Sequence, residues 1–163
     1  MATGHGNQLT RQIGEHLVAA ELGRRGYIAT PFAGNVPMYD LLVASVDGRA
    51  IPIQVKAIRG GSWQFRADQF LFIEFVGGTQ KLGGKKTLPY PGLLCVFVLL
   101  KEPGTDEFYI FPLRELQDHC EGVYKARGPG SKNPDSRHCA VSPKEFARFR
   151  NKWDLLESAL QNR

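Results

Sequence analysis

The chain has 163 residues, 42% hydrophobic and 23% charged, with 21 Lys and Arg against 16 Asp and Glu for a net charge of +5. This composition excludes a disordered tail and suits one domain, 1–163, with a real core, and the positive balance fits an anionic partner such as nucleic acid without requiring one. No apolar run approaches the ~20 residues that cross a bilayer, the opening MATGHGNQLTRQ lacks the apolar segment of a secretory signal, and three cysteines form no closed disulfide set, so the expected setting is the cytoplasm, away from membranes.

Leu9, Ile13, Leu17 and Ala20 recur at helical spacing, with Val18 and Leu22 widening the stripe. They predict a helix over 8–25, with Thr10 as its N-cap and Gly26 as its stop. Residues 27–32 form a short strand that runs into the loop TPFAGNVP; 38–45 and 50–58 are the next two strands, and RGGSW breaks the pattern. FRADQFLFIEFVGG suits strand or helix, because Phe70, Phe72 and Phe75 serve either. The glycines and prolines of 77–92 predict a long loop. LLCVFVLLKE is a buried strand, PGTD a turn and EFYIFPL another strand. A short helix follows over Arg114–Cys120, then the loop KARGPGSKNPDSRH. Ser142, Pro143 and Glu145 form a capping box for a last helix reaching about Leu160. This order of elements predicts an α/β domain with a central mixed sheet and helices on its faces.

Three polar residues interrupt the apolar strands: Asp40 in YDLLVA, and Gln54 and Lys56 in IPIQVKAI. Side chains alternate across a strand, so Ile51, Ile53, Val55 and Ala57 share one face and Gln54 and Lys56 the other. Register decides whether Asp40 joins them. A two-residue turn at Asp47-Gly48 sends Asp40 to the wrong face. A three-residue loop, Asp47-Gly48-Arg49, places Asp40 opposite Lys56 and Leu42 opposite Gln54, all on one face. A carboxylate, an amide oxygen and a lysine gathered in this way can bind Mg²⁺ (or Mn²⁺) and act on a phosphodiester.

With its leading helix GEHLVAAELGRRGY, the strand PMYDLLV and the strand IPIQVKAI, the chain resembles the PD-(D/E)xK nuclease superfamily, which includes Holliday-junction resolvases and homing endonucleases. The resemblance covers about residues 14–61. It implies a restriction-endonuclease-like core of order α-β-β-β-α-β and a metal-dependent DNA endonuclease, with a homodimer for a cut through both strands. The catalytic residues it implies are Asp40, Gln54, Lys56 and Glu15, and the metal ligands are Asp40, Gln54 and Val55. Two departures stand out. Pro37, three residues ahead of Asp40, matches the family's proline only loosely, and Gln54 occupies the place of the second acid. A glutamine oxygen ligates a hard cation but brings no charge, so an inactive nuclease-fold module that binds DNA or a protein is the alternative.

Arg59, just after the motif strand, and Lys81, Lys85 and Lys86 in the glycine-rich stretch are the expected phosphate contacts. Lys125, Arg127, Lys132 and Arg137 fall in a second basic stretch, and Lys144, Arg148 and Lys152 on the last helix suit a solvated face. Trp63 and Phe65 suit either base stacking or the core. His119-Cys120 and His138-Cys139 are adjacent pairs, a spacing that seldom converges on zinc.

Overall fold

A computed structural model of the chain describes residues 4–33, 38–126 and 136–162; Pro37, Arg127 and Lys132 lie outside the described residues. Helix α1 (Gly4–Arg24) leads into strands β1 (Ile28–Pro31), β2 (Leu41–Ala44) and β3 (Ala50–Ile58). Then come β4 (Trp63–Arg66), a 3₁₀ turn (Ala67–Gln69), β5 (Leu71–Val76) and β6 (Thr79–Lys85). Strands β7 (Leu94–Leu99) and β8 (Glu107–Pro112), helix α2 (Leu113–Ala126), strand β9 (His138–Val141) and helix α3 (Asp154–Gln161) complete the chain.

Five strands form the central mixed sheet in the order β1-β2-β3-β7-β8. Only the β3–β7 pair is parallel. Two further ribbons, β4–β9 and β5–β6, stand apart from it. The expected α/β architecture with helices on both faces is therefore present, although β4, the 3₁₀ turn and the β5–β6 hairpin stand between β3 and β7, where the order implied by the family resemblance has a helix and the residues themselves suited either strand or helix.

Both faces of the sheet are packed, which explains the unbroken apolar runs of β7 and β8. On one face, Val18 and Leu22 of α1 and Leu156 and Leu160 of α3 cover Ile51, Ile53, Val55, Val96 and Ile110. On the other, α2 and the β4–β9 ribbon cover Cys95, Phe97 and Phe111. That layer is aromatic: Phe97 and Phe111 meet edge to face at 4.7 Å, and Trp63 lies 5.2 Å from Phe97. Trp63 is fully buried and donates its indole N–H to the Lys56 carbonyl, 3.1 Å away. It is a core residue and cannot stack on a base.

Helix α1 seats on the sheet along Thr10, Gly14, Val18 and Leu22, a row of every fourth residue, all buried. The expected leading stripe is displaced, and Leu9 and Ile13 remain 43% and 37% exposed. Gly14 is the reason. A Cβ there would stand 2.5 Å from the Ala57 Cβ, so the helix touches β3 backbone-close at this point and rotates to put that row underneath. Thr10 is accordingly no N-cap. It lies inside the helix, and its hydroxyl donates back to the Gly6 carbonyl at 2.9 Å.

Three further expectations are corrected. Residues 79–85 are a strand and not part of a loop: Gly77 and Gly78, both at positive φ (59° and 76°), make the tight turn that pairs β6 with β5. The first helix after β8 runs well beyond Cys120, to Ala126. The last helix is broken. Ser142 and Glu145 do make the capping contacts, with the Ser142 N–H donating to Glu145 Oε2 at 2.7 Å. The chain then makes a 3₁₀ turn, passes Asn151 at φ 56°, and starts α3 only at Asp154. Phe146 and Phe149 belong to one core layer, and Trp153, Leu156 and Leu160 to the other. One straight helix cannot serve both layers.

Candidate active site at a fork between two strands

The hairpin between β2 and β3 closes through the Ser45 N–H donating to the Arg49 carbonyl at 2.8 Å, leaving Val46-Asp47-Gly48 as the loop. The loop has three residues, as expected, and Gly48 takes the positive φ (89°) such loops use. It begins one residue earlier than expected, however, which moves the register by two. Leu41 pairs with Ile53 and Val43 with Ile51, so Asp40 comes opposite Gln54 and not Lys56. An even shift preserves the face: Asp40, Gln54 and Lys56 still share one side, with Lys56 now the diagonal neighbour.

Beyond Ile53 the two strands separate. β2 ends, while β3 runs on to Ile58 with only β7 beside it. The separation frees the Val55 N–H, and Asp40 Oδ2 accepts it at 2.8 Å. One oxygen of Asp40 is thereby fixed by the main chain, and the other faces the gap. Met38, two residues earlier, sits at φ 76°, an uncommon conformation for a residue with a side chain.

The gap opens into a hollow of about 350 Å³ lined by Arg11, Met38, Tyr39, Asp40 and Gln54 to Ala57. Arg11 of α1 reaches in, donating to Asp40 Oδ1 from Nη2 at 3.0 Å and to Glu15 Oε1 from Nε at 2.8 Å. Asp40 and Glu15 are 12% and 15% exposed and Arg11 53%, so the guanidinium approaches two sheltered acids from the solvent side. Gln54 Oε1 accepts a weak bond from the buried Cys95 thiol at 3.8 Å, a thiol that burial makes far harder to ionise. The Lys56 ammonium lies 4.4 Å above the Phe65 ring, which stacks in turn on Phe97. Burial lowers the Lys56 pKa and Asp40 partly opposes the shift.

The sequence-derived residues thus separate into two groups. Asp40, Gln54 and Lys56 converge, and Glu15 joins them through Arg11. Val55 contributes main chain alone, since its side chain is in the core. Arg59 is exposed near the base of α1, its Nε donating to Thr10 Oγ1 at 3.1 Å. Lys81, Lys85 and Lys86 lie on or just after β6, and none lines the hollow. Lys85 is held by Asp118 and Glu121 of α2 at 2.6 and 3.5 Å, Lys86 donates to the Asp68 carbonyl, and Lys81 sits opposite Glu74. Arg148, expected on a solvated face, pairs with Glu115. Sequence reasoning missed Arg11 and Phe65's part beneath Lys56. The first carried a signal: Arg11 and Glu15 stand four apart on a helix, the spacing at which such pairs meet.

Asp40 and Gln54 carry oxygen donors at the hollow, and Glu15, which does not line it, lies across Arg11 from Asp40. That donor set suits a hard divalent cation. Among the described residues no three or more His, Cys, Asp or Glu gather closely enough to hold a metal ion, so a cation at this hollow would draw on fewer carboxylates together with Gln54 and main-chain oxygen. No family model and no curated protein matches the chain. Among solved structures, a bacterial homing endonuclease, I-Ssp6803I, aligns over 96% of this chain and 97% of its own, at 15% identity and a TM-score of 0.49.

Proposed function

We propose that the chain is a metal-dependent DNA endonuclease, a single domain that hydrolyses phosphodiester bonds with Mg²⁺ or Mn²⁺. The observation that carries this reading is the fork, where a main-chain-anchored carboxylate, Gln54 and the half-buried Lys56 line one hollow. Asp40, Gln54 and the main chain of Val55 are the residues that would hold the ion, with Glu15 the second charge. A bound Mg²⁺ would acidify a water and offset charge on the phosphate. Lys56 would stabilise the charge that builds on the phosphate oxygens, from a site sheltered enough for its field to count. Phe65 and Asp40 hold that ammonium in place. Arg59, with Lys81, Lys85 and Lys86, is proposed to contact the DNA backbone, although Lys85 must first leave its acidic partners. A cut through both strands takes two such sites, which favours a homodimer. Cys95, Cys120 and Cys139 are all buried, and a reducing, cytoplasmic setting suits such thiols.

Incubation with supercoiled plasmid or branched DNA and Mg²⁺ tests this reading. Cleavage that disappears in Asp40→Ala and Lys56→Ala supports it; cleavage that persists in both removes it.

A second reading is favoured by two observations together: Gln54 brings no charge, and Arg11 already pairs with both Asp40 and Glu15, offsetting one of their two charges. On that reading the chain keeps the fold and binds DNA or a protein without cutting. Wild type that binds duplex, never cuts and takes up no Mn²⁺, with Gln54→Glu gaining uptake, establishes it.

A further inference from the structure

Lys56 also lines a second depression, of about 310 Å³, to which Asp40 does not contribute. Its other lining residues are Gln64, Phe65, Arg66, Gln69 and His138. Four of them belong to the β4–β9 ribbon, whose register pairs Arg66 with His138 and Phe65 with Cys139. Alternation divides the ribbon into two faces. Trp63, Cys139 and Val141 go into the core, while Gln64, Arg66 and His138 are exposed or half-exposed. The outer face therefore carries an amide, a guanidinium and an imidazole side by side, all planar groups with directional donors or acceptors.

These groups are held in position. Asp68 accepts from Arg66 Nε and Nη2 at 3.1 and 2.7 Å, which fixes the plane of the guanidinium. Arg66 and Arg137 together hold the Asp68 carboxyl well below the ordinary range, at about 2, so this brace stays charged at any working pH. His138 Nε2 is hydrogen-bonded to Gln64 Oε1, and the Gln64 amide donates to Ser62 Oγ at 2.7 Å. Two arginines and Lys86, which donates to the Asp68 carbonyl, surround one carboxylate, so the patch stays positive.

We infer that the outer face of the β4–β9 ribbon reads base edges in the major groove of duplex DNA, with Arg66 and Gln64 as the specificity-determining residues. The inference rests on the endonuclease reading for its partner. Three points carry it. A two-stranded ribbon fits a major groove, which is about 12 Å wide. An arginine with its fork braced and a glutamine beside it match the edges of guanine and adenine. The positive patch complements a polyanion and is continuous, through Lys56, with the hollow where the phosphate would be cut. The bases read would then lie close to the cut.

The test is selection from a randomised duplex pool by the full chain, with Ca²⁺ replacing Mg²⁺ to limit cutting, followed by sequencing of what is retained. The expected wild-type result is a short enriched motif. Arg66→Ala is expected to lose one guanine preference, and Gln64→Ala one adenine preference, each by roughly tenfold to a hundredfold, while affinity for unselected duplex falls only a few-fold. Lys152→Ala, at an exposed position with no assigned part in binding, should leave the motif intact. Circular dichroism confirms that the variants, altered only at the surface, are folded. Retention of duplex with no motif overturns the ribbon's role, as does a motif unchanged in both ribbon variants. Failure to retain any duplex instead removes the DNA reading as a whole.

Discussion

Residues Ala50–Ile53 of β3 are paired with β2, whereas Gln54–Ile58 have β7 alone. The underside of the strand is alike in both halves, with Ile51, Ile53 and Val55 all buried beneath α1 and α3. The upper side differs. In the first half Leu42 and Pro52 face each other across a closed ladder; in the second the ladder opens and polar groups line the gap. An opened ladder leaves a main-chain donor without its strand partner. Here Asp40 takes that donor and is aimed by it, so the break in the sheet both makes the hollow and orients its principal acid.

The largest expected effect separates the two halves directly. Asp40→Ala and Lys56→Ala should each slow plasmid cleavage by about a hundredfold to a thousandfold, the usual loss when a charge-stabilising group is removed. Leu42→Ala, 41% exposed on the same upper face but beside the closed ladder, should change it by no more than about twofold. Equal losses in both would remove the distinction.

Next comes the helix beneath. Gly14→Ala forces a Cβ against Ala57. Overpacking costs about 1–3 kcal/mol, which at roughly 2–4 °C per kcal/mol lowers Tm by several degrees. Gly23→Ala on the same helix meets nothing within 4 Å and should raise Tm slightly. Calorimetry of the two variants compares a helix position at the fork with one away from it.

A smaller effect concerns Arg11. Removing its charge from beside Asp40 is worth on the order of 1 kcal/mol at exposed separations. Arg11→Gln should therefore bind Mn²⁺ about fivefold more tightly by isothermal titration. Weaker binding would mean that Arg11 organises the acids rather than competing for them.

The smallest effect is in pH dependence. Burial lowers the Lys56 pKa, so the folded chain releases this proton at a lower pH than the unfolded chain does. Between the folded value and that of an ordinary lysine the unfolded state binds more protons, and stability rises with pH. On the proposed mechanism cleavage uses the ammonium and should fall over the same interval. Urea midpoints of wild type and Lys56→Met should diverge there; parallel curves would mean that the side chain is solvated like any surface lysine.

How far the sequence foretold these features follows from their physics. The sheet strands around the site were legible because alternation and apolar runs are local: β3 was bounded correctly at Ala50 and Ile58, and Gly48 marked its loop. The shared face of Asp40, Gln54 and Lys56 was legible because it depends only on whether the register shift is even or odd. The register itself was not, because whether Arg49 joins the loop is settled by the Ser45–Arg49 closure. Glycine misled twice. At Gly77 and Gly78 it made a hairpin turn where a loop was expected, and at Gly14 it marked a close approach that rotated α1 away from Leu9 and Ile13. β9 escaped notice because four residues carry little pattern, and its partner β4 is 72 residues earlier, counting from Arg66 to His138. The break in the last helix required knowing that its aromatic residues serve two different core layers.

Binding of Mn²⁺ to the free chain, followed by the loss of the ion's solution paramagnetic resonance signal, tests the fork most directly. Uptake that Asp40→Ala abolishes and Leu42→Ala leaves intact is the predicted result. No uptake by the wild type, or equal uptake by all three chains, would contradict it.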